Sequence, residues 1–245
     1  MCRHLAYLGP RVSLARVLLE PEHSLLRQSW APADMRGGGT INADGFGIGW
    51  YHQGRAVRYR RPCPMWSDTG LAALADTTVA CAFMAAIRSA TVGMPVVETA
   101  CAPFGDDTWL FSHNGRVTGW PGSLAGLAAG IPPVDLYTID APTDSALLWV
   151  LLRDRLRKGI PPGEALGSLT AEVLAAAPGS RLNLLLTDGT GVWATTAGHS
   201  LSILHRGGVV MLASEPHGRR GDWTAVPDGR LVAADMSMYT VEALA

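Results

Sequence analysis

Strand-length segments in this chain come in groups closed by tight turns, and its helices come in pairs between those groups. Gln53-Gly54 separates an alternating run at 46–50 from a second at 57–59. Asp188-Gly189 separates 181–187 from 191–196, and Arg206-Gly207-Gly208 separates 201–205 from 209–213. Short Gly-containing connections of this kind make antiparallel hairpins. Between the groups lies an amphipathic helix at 145–158, with Leu147, Leu148, Leu151, Leu152 and Leu156 on one side and a stop at Gly159. A second helix follows at 163–177. Grouped hairpins and paired helices exclude a parallel βαβ sheet and predict α+β layers. The near-continuous apolar run at 78–87 reads as a strand buried on both faces, with Cys81 as a core residue. With 245 residues, 48% of them hydrophobic, the chain can bury one sizeable core and is read as a single domain over 1–245.

Charge narrows the function. A net charge of −1 supplies no field for nucleic acid or an anionic membrane. No apolar run reaches the ~18 residues that a bilayer requires, and no leader opens the chain, which places the protein in the cytoplasm. Cys2, Cys63, Cys81 and Cys101 form no CxxC pair and no spaced Cys/His set, so neither a zinc site nor a disulfide framework is indicated. The glycine-rich stretch at 36–49, containing Arg36-Gly37-Gly38-Gly39, fits neither a P-loop nor a dinucleotide fingerprint.

The chemistry concentrates at four places. Removal of Met1 would make Cys2 the terminal residue, joining a thiol nucleophile to an α-amine. A thiol near ~8.5 and an amine near ~7.7–8.0 exchange a proton at little cost. An ordinary small residue in a frayed terminus is the alternative. Arg88 emerges from the buried strand, where a planar guanidinium suits a ligand carboxylate or, equally, a structural Asp or Glu. His113-Asn114-Gly115 ends the strand at 108–112. It reads either as a hairpin turn or as a side-chain amide and a backbone N–H converging on an oxyanion. Asp144 opens the long helix as a dipole complement or as a carboxylate for a ligand ammonium.

Taken in order, Cys2, Asn42-Ala43-Asp44-Gly45 with Gly47-Ile48-Gly49-Trp50, Arg88-Ser89-Ala90-Thr91, Ser112-His113-Asn114-Gly115, Thr143-Asp144-Ser145, Leu184–Gly189 and Ala213-Ser214-Glu215-Pro216 resemble class II glutamine amidotransferases of the N-terminal nucleophile superfamily. The resemblance implies a four-layer αββα sandwich of two antiparallel sheets flanked by helices. It implies Cys2 as nucleophile, Asn114 and the Gly115 N–H as oxyanion donors, Arg88 with Thr91 as the α-carboxylate site, and Asp144 as the α-ammonium site. No cofactor and no metal enter. A departure is Ala102, which stands where many members carry a His, and Cys101 beside it is a second thiol read as lining the site. Glu98 and Glu215 are read as structural.

No acceptor domain for ammonia follows the motifs, so the chain is read as a hydrolase or as a glutaminase subunit for a separate synthase. Met1-Cys2-Arg3-His4-Leu5 and the block at 90–104 look most like the ergothioneine-pathway branch. That likeness implies hydrolysis of γ-glutamyl-hercynylcysteine sulfoxide through a glutamyl thioester, with a small-molecule substrate and no obligate synthase partner. A homo-oligomer is compatible with the sequence. The leaving portion carries a trimethylammonium group, for which Trp30, Trp50, Trp66, Trp109 or Trp120 could supply an aromatic face. A hydrolase of polyamine conjugates would instead place carboxylates in that pocket.

Overall fold

The structure, a computed structural model, describes residues 2–35, 41–218 and 220–244. The triple glycine at 37–39 therefore lies outside the described residues. In chain order the elements are β1 (Arg3–Ser13), α1 (Leu14–Leu18), α2 (Leu25–Gln28), β2 (Phe46–His52), β3 (Arg55–Arg61), α3 (Leu71–Thr77) and β4 (Val79–Ile87). Then come β5 (Phe104–Gly105), β6 (Leu110–Arg116), α4 (Ala125–Ala128), α5 (Pro133–Tyr137), α6 (Asp144–Arg157) and α7 (Pro162–Ala176). The chain closes with β7 (Arg181–Thr187), β8 (Val192–Thr196), β9 (Ser202–Arg206), β10 (Val209–Ala213), β11 (Thr224–Ala225), β12 (Arg230–Ala234) and β13 (Tyr239–Ala243).

Two antiparallel sheets result. One runs β11-β9-β10-β1-β4-β2-β3, the other β13-β12-β8-β7-β6-β5. Period-two alternation assigns each strand's residues to two different cores. On β1, Leu5 and Tyr7 pack with α1, α2 and α3, while Ala6 and Leu8 meet the second sheet. On β6, Leu110 enters the inter-sheet core and Phe111 packs with α6 and α7. Three stacked cores separate four layers, αββα, as the resemblance implied.

Local chemistry explains the packing distances. Gly47 and Gly49 alternate with Phe46 and Ile48 on β2, and a Cβ at Gly49 would lie 2.7 Å from Leu110 Cδ2. At Gly47 it would lie 2.3 Å from the Ala102 carbonyl oxygen. Glycine is what lets β2 approach the second sheet this closely. Helix α6 is capped by the Thr143 side chain, which accepts from Ala146 N–H, and is buried from Ala146 through Leu152. The run at 78–87 is buried on both faces only from Ala82 onward; Cys81 is exposed, not a core residue. It stands at the start of β4, next to exposed Val79 and ahead of the part of the strand covered on both sides.

Candidate active site

Three adjacent strand ends create the site. Strand β1 starts beside Cys2, flanked by the end of β4 on one side and the end of β10 on the other, with Arg3 opposite Ile87 and Leu5 opposite Ala213. By that register Cys2 faces Arg88, the residue after β4, on one side and Pro216, three residues beyond β10, on the other, while Ser214 faces His4, whose carbonyl accepts the Ser214 N–H at 2.9 Å. Neighbouring strands lie about 4.8 Å apart, so both flanks are within reach of one small molecule.

The terminus is held from beneath. Arg3 is 2% exposed, and its Nε donates to Glu215 Oε1 at 2.6 Å. Its Nη1 donates to the Cys2 carbonyl at 2.9 Å, and a third contact goes to the Asp34 carbonyl. The other Glu215 oxygen takes His23 Nε2 at 2.7 Å and the Ala33 N–H at 2.8 Å. Glu215 thus has the structural role expected of it: it fixes the residue that follows Cys2. Cys2 Sγ approaches the Ser89 carbonyl at 3.7 Å.

On the β4 flank, the Arg88 N–H donates to the Gly45 carbonyl and its carbonyl accepts from Asp44 N–H, while Asp44 Oδ2 accepts from Ala90 N–H at 2.7 Å. The Asn42–Gly45 motif is thereby the splint for the Arg88 loop. Arg88 Nη1 donates to the Pro95 carbonyl at 2.9 Å, and among the described residues the guanidinium has no carboxylate partner. The alternative of a structural ion pair is not realised. Cys2, Arg88, Thr91, Gly115 and Asp144 line one cavity of about 20 Å³ together with His113 and Ser145. A second cavity of about 30 Å³ continues past Cys2 and Arg88 to Phe46 and Ser112.

His113, Asn114 and Gly115 lie inside β6, paired with Leu184, Asn183 and Leu182 of β7, so the turn reading is wrong. The expected strand end at Ser112 extends to Arg116 because β7 continues alongside it. Strand alternation then sends Ser112 and Asn114 between the sheets and His113 toward α6. His113 meets Ser145 Oγ and the Arg181 carbonyl, each at 2.9 Å. Asn114 is 1% exposed, donates through Nδ2 to Ser214 Oγ at 3.2 Å, and lies behind the wall of the Cys2 cavity. A Cβ on Gly115 would stand 1.8 Å from the Arg181 carbonyl oxygen, so no other residue fits. Asp144 is buried and accepts from Val117 N–H at 2.9 Å and Ser145 N–H at 2.7 Å.

The second thiol does not line these cavities. Cys101 is fully buried, its Sγ against the Arg61 and Val97 carbonyls, and burial pushes its pKa up to about 11. A protonated thiol in this setting is a packing group. His4, also buried, meets Ser112 Oγ at 3.1 Å, and burial followed by the neighbouring His113 lowers its pKa to about 3.

Two larger cavities flank the centre. On the β10 flank one of about 410 Å³ is lined by His23, His199, Ser202, Ser214, Glu215 and Asp228, with Asp34 at its edge. On the other side one of about 420 Å³ carries Thr91, Met94, Arg116 and Trp120. Trp30, Trp50, Trp66 and Trp109 line neither. Trp30 and Trp66 pack edge to face at 5.7 Å, Trp109 tilts against Trp193 at 6.0 Å, and Trp50 packs on the helical side of its sheet. His113, Ser145 and Ser214 stand in the sequence motifs without a role of their own, and His199 does not figure there; alternation along β6 could have exposed the first, while the others depend on which elements become neighbours.

The fold and this constellation define an amidotransferase-type N-terminal nucleophile domain, and residues 24–208 match the family Glutamine amidotransferases class-II. The chain belongs to that family. It is 41% identical over 233 residues to the gamma-glutamyl-hercynylcysteine sulfoxide hydrolase of Mycolicibacterium smegmatis, covering 95% of each chain. It is 39% identical over 244 residues to the protein of the same name from Mycobacterium tuberculosis, covering 100% of this chain and 97% of that one. A glutamine aminotransferase class-II domain protein from Silicibacter pomeroyi superposes with a TM-score of 0.71 at 24% identity over the whole of both chains. The fold is also shared with glutamine phosphoribosylpyrophosphate amidotransferase from B. subtilis, at TM-score 0.62 and 13% identity over 100% of this chain and 49% of that one. Among the described residues no helix is long and apolar enough to cross a membrane.

Proposed function

We propose that this chain hydrolyses γ-glutamyl-hercynylcysteine sulfoxide to glutamate and hercynylcysteine sulfoxide, as a cytoplasmic, cofactor-free enzyme of ergothioneine biosynthesis. One observation carries the reading: Cys2, Arg88 with Thr91, and Asp144, carried by three separate segments of the chain, line one cavity. The full-length likeness to two hydrolases of that name supports the substrate.

In the proposed mechanism, removal of Met1 frees the Cys2 amine. Arg88 and Thr91 take the α-carboxylate and Asp144 the α-ammonium. The Cys2 amine accepts the thiol proton, and the thiolate attacks the γ-carbonyl. The Gly115 N–H and the Asn114 N–H left free beside its Ser214 bond stabilise the oxyanion. Collapse breaks the C–N bond, the ammonium returns its proton to the leaving amine, and a glutamyl thioester remains. Water, losing a proton to the same amine, attacks the thioester carbonyl; collapse re-forms the thiol and releases glutamate. Thr91 and Met94 line both this cavity of about 20 Å³ and the adjoining one of about 420 Å³, which gives the glutamyl chain its approach.

Carboxylates rather than tryptophans line the β10-flank cavity, which favours a polyamine conjugate as second reading. Glutamate release from the sulfoxide conjugate, γ-glutamylspermidine and glutamine, with Cys2→Ala as control, separates them. Preference for the sulfoxide conjugate, lost in the variant, is the expected result; preference for either other substrate refutes the reading. Intact mass must also show Met1 removed, since a retained Met1 blocks the amine.

A further inference from the structure

The cavity on the β10 flank contains a buried donor that the reaction centre does not use. His199 is 3% exposed, and its Nε2 accepts from Arg181 Nε at 3.1 Å. A neutral imidazole that accepts at Nε2 carries its proton on Nδ1. Burial, and after it the charge of Arg181, lowers the His199 pKa to about 4, so the ring is neutral at pH 7. That Nδ1–H has no partner among the described residues. An unpaired buried donor is destabilising, and a ligand oxygen would relieve it. Asp228 stands on the same cavity, with one carboxylate oxygen on the Gly198 N–H at 2.8 Å and no cationic partner among the described residues.

Strand order says which part of a substrate reaches this cavity. Arg88 and Thr91 lie on the β4 flank of Cys2, and Ser214 lies on the β10 flank. A glutamyl group whose α-carboxylate sits at Arg88 points its scissile amide across Cys2 toward Pro216, which lines the cavity together with Ser214, the residue that holds the Asn114 amide. What leaves the γ-carbon therefore leaves toward His199.

Resting on the hydrolase reading above, we propose that this cavity is the leaving-group subsite, taking a zwitterion that offers an acceptor oxygen to His199 Nδ1–H and a fixed cation to Asp228. The sulfoxide or carboxylate oxygen and the trimethylammonium of hercynylcysteine sulfoxide meet both demands. A polyamine meets only the second, because all its nitrogens donate when charged. The subsite needs no aromatic face: a carboxylate at close range replaces the cation–π contact expected from the sequence.

The test uses the full-length protein with Asp228→Asn and His199→Phe, and with Asp107→Asn, an exposed partner of Arg55 remote from the cavity, as control. Asn at 228 retains an acceptor for the Gly198 N–H, so that variant folds even if His199→Phe does not. Calorimetry with hercynylcysteine sulfoxide is expected to show binding at least tenfold weaker in Asp228→Asn and in folded His199→Phe, and unchanged in the control. The ratio of kcat/KM for the conjugate to that for glutamine should fall at least tenfold through KM. Product binding equal to wild type in Asp228→Asn, or spermidine binding tighter than the sulfoxide product, overturns the assignment whether or not the conjugate is hydrolysed. Product binding that weakens as expected in an enzyme that fails to cleave the conjugate would uphold the subsite and refute the hydrolase reading.

Discussion

Asn114 Nδ2 and Ser214 Oγ lie 3.2 Å apart across the space between the two sheets, and the same hydroxyl accepts the His4 N–H at 3.0 Å. One serine thus ties the amide on β6 to the strand that follows Cys2. An amide nitrogen has two hydrogens, so this bond orients the side chain and leaves one donor for an oxyanion. Asn114→Ala is expected to lower kcat about 10²–10³-fold with KM nearly unchanged. Ser214→Ala, which frees the amide without removing it, should lower kcat by less. Wild-type kcat in Asn114→Ala would remove it from the proposed mechanism.

Gly115→Ala tests the backbone at the same place. The added methyl would stand 1.8 Å from a carbonyl oxygen on β7 and 2.6 Å from His113 Nε2. Neither neighbour is a flexible side-chain tip. Overpacking of this kind costs about 1–3 kcal/mol or more, so the urea midpoint should drop clearly and activity should fall with it. An unchanged midpoint would show that β6 and β7 separate easily here.

Acid should destabilise the fold in a defined window. Burial lowers the pKa of His4 to about 3 and, with His23 nearby, that of His217 to about 4. Unfolded, each binds its proton near 6.5, so stability falls as pH drops from there toward 4, by up to about 1.4 kcal/mol per pH unit per histidine. Burial alone would raise the Glu215 pKa, but the His23 hydrogen bond, Arg3 and the Ala33 N–H together hold it below its ordinary 4.5. Its contribution is present above that value and is lost as pH falls through the lower folded one. Urea midpoints from pH 8 to 4 should be level above about 7 and fall below 6.5. His217→Phe, which keeps the stack on Trp223, should flatten the fall, and a level wild-type curve down to pH 5 would contradict the assignment.

Arg88→Lys separates a charge from a fork. The guanidinium holds the Pro95 carbonyl with one nitrogen and, among the described residues, has others free. Lysine keeps the charge but cannot span that carbonyl and a ligand carboxylate together. KM for γ-glutamyl substrates is expected to rise about tenfold or more, with thermal stability close to wild type. Unaltered KM would move the carboxylate site elsewhere.

The layered class of the fold was legible in the sequence because periodicity is local: a two-residue alternation and a heptad-like stripe of leucines state which face is apolar without saying what covers it. For Cys2, Arg88 and Asp144 local signals raised a chemical reading; Thr91 came only from the order of motifs that matches one family, and Gly115 from that order over a competing turn reading. Asn114 was ambiguous, because Asn-Gly reads as a turn until β7 is seen to pair through it. Cys81 was misplaced, and of the five tryptophans weighed as an aromatic face Trp120 comes to the cavity beside Thr91 while the other four line neither flanking cavity, for the same reason: burial depends on neighbours that arrive from distant sequence. That Ser214 holds both the His4 N–H and the Asn114 amide, that His199 Nδ1 is buried without a partner among the described residues, and that Glu215 clasps Arg3 all follow from β10 pairing with β1 and from the two sheets meeting face to face. Those are long-range choices, made by how complementary surfaces fill one core, and no local pattern in the chain encodes them.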